Sequence, residues 1–162
     1  MIELDNIDLR ILSLKQDNAC ISNSELAKEL GMAPSAMLER VRKLEKKGII
    51  ESYNTRINPI ALNQKLLAFI FVKSSTAPNS CWQDNSIKDL PGIQEVHHIA
   101  GDDCFLIKIR TEDSQSLVKW MREELSKIQG IISTRTTIVL ETLKETTNLT
   151  IPLTQNENAQ QH

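Results

Sequence analysis

Residues 22–48 read SNSELAKELGMAPSAMLERVRKLEKKG, and they decide the fold of the first third of the chain. Ser22-Asn23-Ser24-Glu25 is a capping box, in which a hydroxyl and, three residues on, a carboxylate satisfy amides that a helix start leaves free. The short helix it opens carries Leu26, Ala27 and Leu30 inward and stops at Gly31, because a residue without Cβ takes the left-handed conformation that ends helices. Pro34 suits the first turn of another helix, whose apolar stripe of Leu38, Val41 and Leu44 runs until Gly48. Two helices meet across Met32-Ala33, and the small Ala27 lets them approach closely, which is helix-turn-helix grammar.

Upstream, Leu4, Ile7, Ile11 and Leu14 recur at helical steps on a segment opened by Asp5 and lost around Asp17-Asn18. Downstream, Ile49–Ile57 contains two short β-prone runs that suit a hairpin wing. Charge concentrates on the helix between them. Arg40, Arg42, Lys43, Lys46 and Lys47 stand against Glu39 and Glu45, a local excess of three positive charges. Lysine and arginine are good helix formers on any solvated face, so this excess alone assigns no partner. A basic helix placed second in a tight pair and followed by a wing fits the major groove of double-stranded DNA. Ser35, Ala36 and Arg40 near its start are then expected at base edges and the lysines at phosphates, with Ser24, Pro34, Glu39 and Arg42 completing the interface.

After Asn58-Pro59 the pattern turns from helical to mixed. Leu66–Val72 is an apolar β-prone run, followed by polar turn residues and a short helix with Trp82, Ile87 and Leu90 that Pro91-Gly92 ends. Ile93–Ala100 and Phe105–Arg110 read as strands joined by Gly101-Asp102-Asp103-Cys104 in a tight hairpin. Leu117, Trp120, Met121, Leu125 and Ile128 mark a second amphipathic helix closed by Gly130, and Ile131–Glu141 reads as a last strand. The fold class is therefore α+β: a winged helix-turn-helix over 1–60, a linker at 61–64, and a ferredoxin-like, ACT-like βαββαβ domain over 65–147. An antiparallel sheet with both helices on one face has a second face to bury, and a second copy of the chain is the economical cover. Residues 148–162 are polar and aperiodic, as in a mobile tail.

The totals bound the alternatives. The 162 residues allow one domain or two, and a formal charge of −2 gives no global sign of nucleic-acid binding. Residues 1–62 carry nine basic and nine acidic side chains, so the position of charge decides, not its sum. No stretch approaches the ~20 apolar residues of a membrane helix, and the acidic start lacks the basic head of a secretory signal. Cys20, Cys81 and Cys104 are odd in number and widely spaced, against a disulfide framework or paired metal thiolates; the expected setting is the cytoplasm.

Taken together, Leu4-Asp5 with Asp8 and Ile11-Leu12, Ser24-Glu25-Leu26-Ala27 with Gly31, Arg40-Val41 with Leu44-Glu45, Gly48-Ile49-Ile50 and His97-His98-Ile99-Ala100-Gly101-Asp102 resemble the Lrp/AsnC family of amino-acid-responsive regulators, over about residues 2–144. The resemblance implies a winged DNA-binding domain, a sensor domain that dimerises through its sheet, and higher oligomers, commonly octamers. It also implies an effector amino acid held near Ile99, Ala100, Gly101, Asp102, Asp103 and Cys104 and the last-strand Thr134 and Thr136. The chemistry suits a zwitterion: loop amides and threonine hydroxyls donate to a carboxylate, and aspartates accept from an ammonium. The apolar Ile99 and Ala100 point to an aliphatic effector, leucine or methionine, and no other cofactor is expected. The chain departs from the family pattern at Cys104, where relatives often carry an acid or amide, at Glu39, where they often carry a base, and at Ala33, a frequent Ser cap.

Other classes fit less well. His97 and His98 are adjacent on a strand and point to opposite faces, so they do not converge on a metal. There is no nucleophile elbow and no glycine-rich phosphate loop, which argues against an enzyme. An amino-acid-binding oligomeric module without operator binding remains the alternative, kept open by Glu39 within the basic helix.

Overall fold

A computed structural model describes residues 3–74, 87–102 and 104–153. The chain forms two compact units, one containing residues up to Arg56 and from Thr146 onward, the other Ile57–Glu145. The chain thus crosses between them twice.

The first unit holds three helices. Helix α1 (Asn6–Asp17) starts at a capping box that the sequence pattern had not singled out: the Asp5 side chain accepts from the Asp8 amide, and the Asp8 carboxylate accepts from the Asp5 amide. Helix α2 (Asn23–Glu29) starts at the expected Ser22/Glu25 box. It ends in a Schellman closure, with Met32 N donating to the Ala27 carbonyl at 2.8 Å around Gly31 at φ 64°. Helix α3 (Pro34–Lys46) repeats that closure at Gly48, where Ile49 N donates to the Leu44 carbonyl at 2.9 Å. Ile11, Leu26, Ala27, Met37, Val41 and Leu44 form one buried cluster. The deepest stripe of α3 is therefore Met37, Val41 and Leu44, while Leu38 is only half-buried on its flank. Burying a side chain of this size contributes about 1.5–3 kcal/mol, enough to fix how α3 lies on α2.

The expected wing hairpin does not form as a ladder. Residues 51–58 run as irregular chain, without strand pairing. The two runs lack a turn-forming glycine between them, and an isolated two-stranded hairpin is marginal in water. Tyr53 instead reaches back to Glu45, its hydroxyl donating at 2.8 Å, and lies under the Lys15 ammonium at 5.0 Å.

The second unit is a four-stranded antiparallel sheet of β1 (Leu66–Ser74), β2 (Ile93–His98), β3 (Phe105–Thr111) and β4 (Ile131–Ile138), in the order β2-β3-β1-β4. Helix α4 (Ser114–Glu123) covers one face. Alternation along β1 and β3 sends Ala68, Ile70, Val72, Phe105, Ile107 and Ile109 to the face where Leu117 and Leu125 are buried. Phe69, Phe71, Leu106 and Lys108 occupy the other face. The Trp120 indole is fixed by donating to the Pro91 carbonyl at 2.7 Å. Two strands stop earlier than their composition suggests. The last partner of β2 is Phe105, opposite His98; after β4, Val139 still bonds the Leu67 carbonyl, but no strand among the described residues pairs with the chain beyond it, and Leu140 is 98% exposed. Of the helix expected around Trp82 to Leu90, only the turn at Ile87–Leu90 falls in the described residues; Trp82, Cys81, Asp103 and residues 154–162 lie outside them. No helix among the described residues is long and apolar enough to cross a membrane.

Candidate nucleic-acid interface and effector loop

The proline at the first position of α3 needs no amide partner, and Ala33 before it offers no side-chain cap. From this start, Ser35, Glu39, Arg42 and Lys46 follow at steps of four, three and four, a stripe roughly opposite the buried Met37, Val41 and Leu44. Ser24, Pro34, Ser35, Glu39, Arg42, Lys43, Lys46 and Lys47 are all exposed, and Ala36 is half-buried. Arg42, Lys43, Lys46 and Lys47 have no hydrogen-bond or ion-pair partner among the described residues, so four cations stand free on the outward side.

Arg40 does not join them. Its Nη1 donates to Asp5 at 2.6 Å and to Asp8 at 2.7 Å, and its side chain is 30% exposed. Both carboxylates already belong to the α1 capping box, so Arg40 fastens the start of α1 to the middle of α3. The Asp8 amide and then the Arg40 guanidinium hold the Asp5 carboxyl below its usual range, and the two carboxylates push the Arg40 pKa up. The sequence carried a signal for this. Arg40 lies three residues after Met37 and four before Leu44, on the flank of the buried stripe, and aspartates three apart at a helix start present two acceptors to such a neighbour. An open groove of about 1000 Å³ beside it is lined by Glu3, Asp5, Asp8 and Glu39 against Arg40, Arg42 and Lys43, so this flank lacks the cationic excess of the outward face.

In the second unit the expected effector residues come from two neighbouring places. Ile99 N donates to the Cys104 carbonyl at 3.0 Å, closing the loop, and Cys104 N donates to the Val72 carbonyl at 2.8 Å. Gly101 takes φ 140°, which a side chain would oppose. Ile99 and Cys104 are half-buried, while Ala100, Gly101 and Asp102 are exposed. Val72 is also the partner of Thr134, and Ile70 the partner of Thr136, both threonines exposed. Phe105 and Thr134 thus flank Val72 from two sides, roughly 10 Å apart at ordinary strand spacing, the span of a small amino acid. The Thr136 hydroxyl lies 3.6 Å from the Met121 sulfur, which places it on the α4 side of the sheet.

One cluster escaped the sequence pattern altogether. On the sheet face away from α4, Lys108 bridges Glu95 at 2.8 Å and Glu145 at 2.6 Å, and Arg110 bonds Glu145 at 3.1 Å. Lys108 is the first cause holding both carboxyls below their usual range. Burial pushes Lys108 down, but Glu145 and Glu95 more than reverse it. Glu145 is far from β3 in sequence, so no local pattern announces the clamp.

Comparison with known proteins agrees with this geometry. Residues 67–149 match the Lrp/AsnC ligand binding domain and residues 4–51 a winged helix-turn-helix DNA-binding domain. The leucine-responsive regulatory proteins of Klebsiella pneumoniae and Escherichia coli K12 are 39% and 38% identical over 151 residues, 92% of this chain and 92% of each relative. Among solved structures, a transcriptional regulator from Neisseria meningitidis complexed with L-Met superimposes with a TM-score of 0.85 at 26% identity, covering 93% of this chain and 98% of that one. Escherichia coli AsnC superimposes with a TM-score of 0.82 at 26% identity, covering 91% and 99%. These relatives are regulators and not enzymes. A helix-turn-helix with a free cationic face, followed by a four-stranded sheet with a polar hairpin loop, is thus the arrangement of the Lrp/AsnC family of DNA-binding transcription regulators with an amino-acid-binding domain, and the chain belongs to that family.

Proposed function

We propose that the outward stripe of α3 reads an operator and that leucine or methionine, held at the hairpin loop, modulates that binding or the assembly that performs it. The observation that carries this is the free cationic face of α3. Ser35, Glu39 and Arg42 meet base edges, Arg42 with the bidentate geometry that suits guanine and Glu39 as an acceptor for cytosine; Lys43, Lys46 and Lys47 meet phosphates. Glu39 then adds sequence preference instead of abolishing binding. Arg40 supports the readers from behind.

The effector carboxylate is bound by loop amides and the Thr134 and Thr136 hydroxyls, with Asp102 and Asp103 available to the ammonium. Two of the relatives are named leucine-responsive, and the neighbouring solved structure holds L-Met, which favours those two amino acids. The sheet face bearing Phe69, Phe71 and Leu106 suits burial against a second copy, giving a dimer that presents two α3 helices to half-sites about 34 Å apart and assembles further, to an octamer. The protein acts in the cytoplasm, where its DNA is.

Selection of bound genomic fragments, followed by titration of leucine and methionine, tests both halves. A degenerate palindrome is expected, with Arg42→Ala costing about 5- to 150-fold in specific affinity. A Thr134→Val, Thr136→Val variant is expected to bind effector about tenfold more weakly. No heat with either amino acid overturns the effector assignment. Effector binding without any selected fragment makes the chain an amino-acid-binding module instead.

A further inference from the structure

Residues 146–153 belong by their contacts to the DNA-binding unit, although they follow the last strand of the sensor. The Gln16 side chain on α1 holds them: its Nε2 donates to the Leu149 carbonyl at 3.0 Å, and its Oε1 accepts from the Leu149 amide at 2.7 Å. This is the two-bond pairing of a strand neighbour, supplied by one side-chain amide. The approach is shaped by the Thr146 hydroxyl, which accepts from the Asn148 amide at 3.1 Å, and Ile151 is half-buried further on. At the other end, Glu145 is clamped on the sensor sheet by Lys108 and Arg110. Only three residues, 146–148, separate a side chain fixed to the sensor from a backbone fixed to α1.

We propose that residues 146–153 are a strap, docked on α1 by Gln16, that carries the effector state of the sensor to the DNA-binding unit alongside the connection at residues 56–57. Three residues join Glu145 to Leu149, so the covalent path from the clamp on β3 to the docked backbone is short. The docking stands on the contacts alone; the coupling rests on the effector reading above. Leu149 turns its side chain outward, 77% exposed, so the backbone and not the leucine is recognised.

The test uses the full-length chain. Gln16→Met keeps length and helix propensity but removes both bonds, Gln16→Glu keeps only the acceptor, and Leu149→Pro removes the donor without touching α1. Hydrogen exchange in peptides spanning 146–153 is expected to quicken about tenfold in Gln16→Met and by less in Gln16→Glu. The ratio of operator affinities with and without leucine or methionine is expected to fall toward one in Gln16→Met and Leu149→Pro, with effector-free affinity retained. Unchanged exchange overturns the docking. Quickened exchange with an unchanged ratio overturns the coupling. A wild-type chain indifferent to both amino acids refutes the effector reading and the coupling with it, while the exchange comparison still decides the docking.

Discussion

Replacing Arg40 by methionine is expected to destabilise the DNA-binding unit while leaving its choice of DNA nearly intact. One guanidinium nitrogen donates to two carboxylates, at 2.6 and 2.7 Å, with side-chain exposures of 30% for Arg40, 52% for Asp5 and 18% for Asp8. The Asp5 contact is too exposed to count for more than an ordinary surface pair, about 0.2–1 kcal/mol. The Asp8 contact is better shielded but falls short of a buried pair, whose rupture costs about 3–5 kcal/mol. Together they place the loss at about 1–2 kcal/mol, since methionine keeps the aliphatic packing of the stem. For a unit of this size that lowers the melting temperature by roughly 4–16 °C. Urea melts followed by operator titration, with Arg42→Ala in parallel, supply the assay. Arg40→Met should change specific affinity less than about threefold under conditions where both proteins are folded, whereas Arg42→Ala should lose at least fivefold. The pH dependence has a definite sign. The folded pKa of Asp5 is depressed below 3.8, so its contribution is fully present above that value and fades as the pH falls through the lower folded one. The stability gap between wild type and variant should therefore hold from about pH 7 to pH 5 and shrink below 3.8. Equal loss of specific affinity in the two variants, with unchanged melting of Arg40→Met, would refute the assignment and return Arg40 to the bases.

Two further perturbations probe the same unit. Tyr53 is the only tyrosine, and burial followed by the Glu45 carboxylate pushes its phenol up to about 12, so absorbance titration should find that midpoint in the folded protein and about 10 in denaturant. Because the raised value belongs to the folded state, this contribution is whole below pH 10 and disappears as the pH climbs through 12; a native midpoint near 10 would show Tyr53 detached from Glu45. Gly31→Ala should cost about 1–2 kcal/mol in urea melts, since Gly31 holds φ 64° with open space around its α-carbon, so that the backbone and not a clash resists the methyl. Unchanged stability would mean the turn between α2 and α3 has another conformation.

Most of the fold was legible because its signals are local. Ser22 and Glu25 sit three residues apart, Gly31 and Gly48 each end a helix, and the unbroken apolar, β-prone run Leu66–Val72 marks a central strand. Met37 escaped as a core residue because Leu38 beside it is equally apolar, and only the phase against Val41 and Leu44 separates them. Of the wing, only the strand pairing was overread, since β propensity at Ile49–Ile57 supplies no partner strand among the described residues. At the interface, residue type placed Arg40 with the other cations; its phase on the flank of the buried stripe argued otherwise, but its partners, 35 and 32 residues away, are named by no local pattern. Glu145 and Gln16 were invisible for the same reason: polar side chains on surfaces announce nothing until the chain returns to meet them.

The strap also gives the DNA-binding unit an order of manufacture. Gln16 and Leu149 are separated by 133 residues, so at an elongation rate of about 5–20 residues per second the receptor waits roughly 7–27 s for its ligand. Helices α1 to α3 close their core early, from local contacts, and leave the ribosome with an unfilled position that is sealed only after the whole sensor has been translated. A ribosome stalled within the sensor would expose a nascent regulator whose operator-binding half is assembled and whose second connection to the sensor does not yet exist.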